Sequence, residues 1–151
     1  VYDAHARRIV SAWKERGRRD LAGILAAILV DTVVRPDVDA LTFVPGDRER
    51  GRERGHVPAA RLARSLGERW ALPVCELLVR VGHVGRQAGL PRAERLGNVR
   101  RAFAPTGEAP RRVGLVDDVY TTGATASACA TVLRRSGAAR VEVVCLARAV
   151  R

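Results

Sequence analysis

The stretch Val113-Gly114-Leu115-Val116-Asp117-Asp118-Val119-Tyr120-Thr121-Thr122-Gly123-Ala124-Thr125 constrains the fold more than any other part of the chain. Val113 to Val116 is a short apolar run that reads as a buried strand, and Thr122 to Ser136 carries the pattern of a helix closed by Gly137. A strand that passes into a helix through two acids, hydroxyl residues and a glycine fits a parallel α/β sheet, whose ligands lie at the carboxyl ends of the strands. The hydroxyls of Thr121, Thr122 and Thr125, with the amides at the start of the helix, offer an anion cradle that the helix dipole strengthens. Gly123 lets the backbone approach such an anion closely. Asp117 and Asp118, acceptors only when ionised, suit vicinal sugar hydroxyls or a hydrated Mg²⁺. A phosphate beside a diol describes a ribose 5-phosphate. Helix capping accounts for one such side chain, not for two acids and three threonines within nine residues.

The remaining segments alternate in the same way. Apolar residues at Ala6, Ile9, Val10 and Trp13 predict an amphipathic helix over Tyr2 to Glu15, ended by Gly17, and Asp20 to Val34 reads as a second, more buried helix. Asp39 to Val44 predicts a strand stopped by Pro45 and Gly46, and Asp47 to Gly55 a charged loop. Pro58 starts a helix to about Trp70, Pro73 to Val81 reads as another strand, and Val141 to Ala147 as a last one. Gly82 to Gly89 reads as a mobile loop leading into a short helix from Pro91 to about Arg95, and Pro105 to Pro110 as a surface excursion. Strands alternating with helices imply a parallel, right-handed sheet flanked by helices. A length of 151 residues without a low-complexity linker predicts one domain. With two Trp, two Tyr and two Phe, the core must be built of Val, Leu, Ile and Ala, and a stacking platform for single strands is disfavoured.

The charge is strongly one-sided: 27 basic against 16 acidic residues give a formal +11, and every basic residue except Lys14 is arginine. Arginine suits bidentate contact with phosphate, although arginine and alanine richness also follows from a GC-rich genome, so charge alone does not separate nucleic acid from a phosphorylated metabolite. Cys75, Cys129 and Cys145 are too few and too far apart for a metal or disulfide framework and read as reduced thiols of a cytoplasmic protein. The longest apolar stretch, Ile24 to Val30, is far shorter than the roughly 20 residues that span a bilayer, so no membrane partner is expected. The chain begins with Val1 and contains no Met, which leads one to expect sequence ahead of it.

The segment from Asp117 to Thr125, behind its apolar strand, resembles the thirteen-residue phosphoribosyl pyrophosphate signature of the type I phosphoribosyltransferases, in the form typical of ComF-type proteins. Arg54-Gly55, then Gln87, Gly89, Leu90, Arg92, Arg95, Asn98 and Phe103, and the Lys14, Arg16, Gly17 region resemble the same family, so the likeness runs along nearly the whole chain. It implies a single phosphoribosyltransferase-like domain over residues 1–151, with 1–35 as a helical segment packed on the core, a Rossmann-like parallel core and a flexible lid. Position by position it implies Asp117 and Asp118 on the ribose hydroxyls, with Mg²⁺ held indirectly. Thr121, Thr122, Gly123, Ala124 and Thr125 take the 5-phosphate. Pro45, Arg54 and Gly55 belong to the pyrophosphate loop, and Arg86, Gln87 and Arg92 to the lid.

The implied ligand is phosphoribosyl pyrophosphate with Mg²⁺, or a nucleoside monophosphate, and the implied reaction is transfer of the phosphoribosyl group to an unidentified nitrogenous acceptor. The resemblance also implies an alternative, a non-enzymatic competence or DNA-uptake protein that senses a ligand in the pocket and meets nucleic acid with a basic surface. A homodimer is expected from type I relatives. No general base or other catalytic side chain can be named. The chain departs from the family where His56, Val57 and Pro58 stand in place of the usual Phe, Asn and Gln. It departs again at Thr121, where users of 6-oxopurine bases carry Asp, which argues against hypoxanthine or guanine salvage. The four-cysteine zinc ribbon that often precedes ComF-type domains has no counterpart in this sequence.

Overall fold

The computed structural model describes residues 21–46, 57–81 and 101–148. The elements are α1 (Leu21–Thr32), β1 (Ala40–Phe43), α2 (Pro58–Trp70), β2 (Leu78–Arg80), β3 (Phe103–Pro105), β4 (Arg112–Tyr120), α3 (Ala124–Arg135) and β5 (Arg140–Arg148). The expected helix over Tyr2 to Glu15, the charged loop, the glycine-rich loop and the short helix after it lie outside the described residues.

The sheet is parallel, in the order β1-β4-β5, with β4 in the centre. Ala40 to Phe43 stand opposite Val113 to Val116, and Arg112 to Tyr120 run beside Arg140 to Arg148. Such neighbours need a crossover, and α3 supplies it between β4 and β5. The alternation of side chains along the strands sorts the core into two clusters, one on each face. Leu41, Phe43, Val116 and Val144 join Leu25 and Leu29 of α1 and Leu62, Leu66 and Trp70 of α2. Val113 and Leu115 join Ala126, Cys129 and Leu133 of α3. Helices thus cover both faces, and β1, buried at every residue, is the continuous apolar strand that such a sheet demands. Thr42 is its one fully buried polar side chain, and its hydroxyl accepts the amide of Leu77 at 3.3 Å.

Helix α2 begins at Pro58, whose missing N–H costs nothing at the first helical position, and ends with Ala71 in the left-handed conformation (φ 52°, ψ 49°). There Leu72 donates back to the Gly67 carbonyl at 2.9 Å. Helix α1 lies against α2: the Arg69 guanidinium donates to the Gly23 carbonyl at 3.1 Å, Leu25 and Leu29 enter the core, and Ile24 and Ile28 face outward.

Two expectations from the sequence differ from the structure. Pro73 to Val81 is not one strand of the parallel sheet. Val74 bridges to Leu41 in parallel, with the Leu41 amide donating to Pro73 and the Cys75 amide to Leu41. Leu78 to Arg80 turns away to pair antiparallel with Phe103 to Pro105 in a separate two-stranded sheet. The break falls where the Leu77 amide is taken by Thr42 and the Thr106 amide by Leu77, which redirects the backbone onto the β3 segment. Pro105, expected to open a surface excursion, is the last residue of β3, paired with Leu78.

Candidate functional site

Strand β4 continues four residues beyond its apolar run, through Asp117 and Asp118 to Tyr120, because β5 pairs with it all the way: Asp117 opposite Cys145, Val119 opposite Ala147, Tyr120 opposite Arg148. The two aspartates are therefore carried on the end of the central strand and not in a loose turn. Both are half-buried, and Asp117 Oδ1 accepts the backbone amide of Asp118 at 2.8 Å, which orients the first carboxylate relative to the second. The Asp117 charge is felt below the surface. Burial, followed by Asp117, pushes the Cys129 thiol up to about 12, and burial followed by Asp117 raises that of Cys145.

Beyond Tyr120 the chain turns through Thr121 and Thr122, both exposed, to Gly123 at φ 74°, ψ 0°, and α3 starts at Ala124. Positive φ at this position requires glycine or strain. Gly123, at the N-cap, has no side chain to cap the helix; the Thr122 hydroxyl reaches the Ala124 amide only at 3.4 Å, and the first helical bond runs from the Ser127 amide to the Gly123 carbonyl at 2.8 Å. The opening amides of a helix have no partner within it and point outward at its positive end, which suits a phosphate. Ala124 and Thr125 are half-buried in the first turn.

Pro45 sits at the carboxyl end of β1, the strand next to β4, just after the Val44 amide donates to Val116 at 3.0 Å. The chain leaving β1 therefore starts beside the two aspartates. Val57 returns close to it, its γ-carbons 3.2 and 3.3 Å from where a β-carbon on Gly46 would stand. Arg54 and Gly55, between these two points, lie outside the described residues, as do Arg86, Gln87 and Arg92 of the expected lid and the Lys14, Arg16, Gly17 region. The structure thus brings together Asp117, Asp118, Thr121, Thr122, Gly123, Ala124, Thr125 and Pro45 at one end of the sheet.

Two neighbours of the site are not singled out by sequence reasoning. Tyr120 lays its hydroxyl over Gly123, and Arg148, at the end of β5, holds its guanidinium carbon 5.7 Å from the centre of the Tyr120 ring. Their meeting depends on the parallel register, which no local pattern announces. Among the described residues no group of three or more His, Cys, Asp or Glu is placed to hold a metal ion, and no helix is long and apolar enough to cross a membrane.

The parallel sheet between helices is the fold of the type I phosphoribosyltransferases. Solved structures match it accordingly. A glutamine phosphoribosylpyrophosphate amidotransferase from B. subtilis, complexed with ADP and GMP, matches with a TM-score of 0.55 at 25% identity, over 86% of this chain and 26% of that one. An adenine phosphoribosyltransferase from Thermoanaerobacter pseudethanolicus matches with a TM-score of 0.52 at 12% identity, over 87% and 83% of the two chains, a likeness of fold alone. In sequence, this protein is a ComF-type relative within that fold: it is 37% identical over 116 residues to competence protein F of Haemophilus influenzae. That match takes in 74% of this chain and 51% of the relative, so the chain spans about half the length of competence protein F and about a quarter of the amidotransferase. No family model matches the chain.

Proposed function

We propose that this protein binds phosphoribosyl pyrophosphate with Mg²⁺ at the carboxyl end of β4 and transfers its phosphoribosyl group to a nitrogenous acceptor, releasing pyrophosphate. The observation that carries this reading is the continuous path from Asp117 and Asp118, on the end of the central strand, through the left-handed Gly123 to the N-terminus of α3. Two carboxylates and an anion-binding helix start, eight residues apart at most, match a ribose diol with its 5-phosphate.

In this account the carboxylates of Asp117 and Asp118 accept hydrogen bonds from the ribose hydroxyls and fix the sugar. The turn from Thr121 to Thr125 holds the 5-phosphate through amides and hydroxyls. Positive charge develops on the ribose ring as the C1–oxygen bond to pyrophosphate breaks, and the acceptor nitrogen forms the new bond at C1. Fixed carboxylates beside that ring are suited to positioning and electrostatic work, and no protein nucleophile is needed. The pair also fits Mg²⁺, a hard cation that keeps several waters and binds through one or two carboxylates plus substrate phosphates. When bound, Mg²⁺ would offset the charge of the departing diphosphate, and the arginines of the 47–56 and 82–100 segments are apt partners for the same group.

A second reading has one specific support, the kinship with competence protein F together with the +11 charge: a non-enzymatic DNA-uptake module that uses the pocket to sense a nucleotide-like ligand. The two separate in one experiment. Pyrophosphate release from phosphoribosyl pyrophosphate is followed across a panel of bases, amines and ammonia, beside duplex DNA binding at two salt concentrations. Acceptor-dependent release that disappears in Asp117→Asn/Asp118→Asn supports transfer. Absence of release with every acceptor, joined to DNA binding that weakens steeply with salt and ignores those substitutions, favours the second reading.

A further inference from the structure

A β-carbon placed on Gly123 would run into the Tyr120 hydroxyl and would lie 2.7 Å from Cζ and 3.3 Å from Cε1 of the same ring. The ring edge therefore fills the space above the α-carbon of the turn. Behind it, Tyr120 packs against the cluster that holds Ala126 and Cys129 of α3. Its ring is flanked by the Arg148 guanidinium, carried by the strand residue that pairs with Tyr120 in the ladder. One aromatic side chain thus touches the rigid core, the neighbouring strand and the one glycine that gives the turn its left-handed step.

We propose that Tyr120, braced by Arg148, is a positioning residue that presets the turn from Thr121 to Thr125 for a phosphomonoester. The inference rests on the reading of that turn as the holder of a phosphorylated ribose. A glycine at positive φ has wide freedom by itself, and a turn that must present several amides to one anion loses affinity if it samples many shapes. The Tyr120 ring removes that freedom by occupying the space over the Gly123 α-carbon. Arg148 contributes by keeping the ring in place, an attraction of the cation to the ring face. A change at the end of β5 is thereby transmitted to the turn through the Tyr120 ring.

The test uses the full chain and two readouts. Hydrogen exchange reports the turn directly, and calorimetry with ribose 5-phosphate reports its use. Tyr120→Ala is expected to speed exchange at the amides of Thr121 to Thr125 while leaving the amides of Val113 to Val116 protected, and to weaken ribose 5-phosphate roughly tenfold. Tyr120→Phe, which keeps the ring, restores most of both, and Arg148→Gln gives an effect of the same kind but smaller, which keeps the inference testable should Tyr120→Ala fail to fold. Unchanged exchange at the turn in Tyr120→Ala and Arg148→Gln overturns the positioning role, as does ribose 5-phosphate bound as tightly by both as by the wild type. If the wild type itself takes no ribose 5-phosphate while exchange at the turn responds as expected, the brace stands and the phosphoribosyl reading fails.

Discussion

Asp117 and Cys145 stand opposite one another across the β4–β5 ladder, and the Asp117 charge also reaches Cys129 on α3. Two thiols are thus held neutral beside the first carboxylate of the site. For Cys129, fully buried and with its thiol pushed up to about 12, only about one part in ten thousand is thiolate at pH 8. Folded protein at pH 8 should leave Cys129 unmodified by iodoacetamide over a time in which half-buried Cys75 is alkylated, as peptide mass spectrometry would read. Asp117→Asn removes the nearby negative charge, and Cys145 should then react faster than in the wild type. Equal rates at Cys129 and Cys75 would contradict the burial described here.

Gly123 is constrained twice, by its positive φ and by the Tyr120 ring. Gly123→Ala is expected to cost about 1–3 kcal/mol in urea unfolding. Because part of that cost is collision with the ring, the same substitution made in a Tyr120→Ala background should cost less. Strict additivity of the two changes would mean that backbone conformation alone requires the glycine.

Ala71 ends α2 in the left-handed region without being glycine. An L-residue there is held at a cost that glycine avoids, partly offset by the greater freedom of glycine in the unfolded chain. Ala71→Gly should therefore stabilise the fold by about 0.5–1 kcal/mol, raising the thermal midpoint by about 2 °C. A fall in the midpoint would refute the assigned cap.

Arg112 ties the start of β4 to the loop before β1. Its amide donates to Asp39 at 2.9 Å, and its guanidinium reaches Asp39 at 2.7 Å and Asp37 at 2.6 Å. These bonds hold the Asp39 carboxyl below its ordinary value of 3.8. A carboxyl lowered by folding stabilises the fold fully above its unfolded value, and that contribution is lost as pH falls through the folded value. Urea midpoints measured from pH 6 down to pH 2 should drop less steeply for Asp39→Asn than for the wild type, while at pH 6 the variant is the less stable of the two. The group is solvent-exposed, so the effect should shrink as salt is added.

The parts of the fold that local chemistry dictates are legible in the sequence. Pro58 and the apolar spacing behind it mark α2 from its first residue to Trp70, and the apolar run from Val113 marks the central strand. Where tertiary pairing decides, the sequence is silent. Asp117 and Asp118 read as the start of a turn, yet β5 keeps them in the strand. Phe103 to Pro105 is too short and too near a proline to announce a strand, and its partner Leu78 to Arg80 carries the same apolar signature a parallel strand would. The stop after Trp70 is legible, but the left-handed conformation that makes it is not, because Ala71 is not glycine. At the site, the acid pair and the hydroxyl-glycine turn are legible from their residue types, whereas Tyr120 and Arg148 meet only through a register fixed by the whole sheet.

The end of β4 and the start of α3 are proposed to bind a phosphorylated ribose through both aspartates. Calorimetric titration of phosphoribosyl pyrophosphate with Mg²⁺ into the purified chain, repeated with Asp117→Asn/Asp118→Asn at two salt concentrations, tests it most directly. Saturable heat is expected for the wild type and none for the double variant, at either salt concentration and with both proteins folded by circular dichroism. No heat from the folded wild type at millimolar ligand, or equal heat from the double variant, would contradict it.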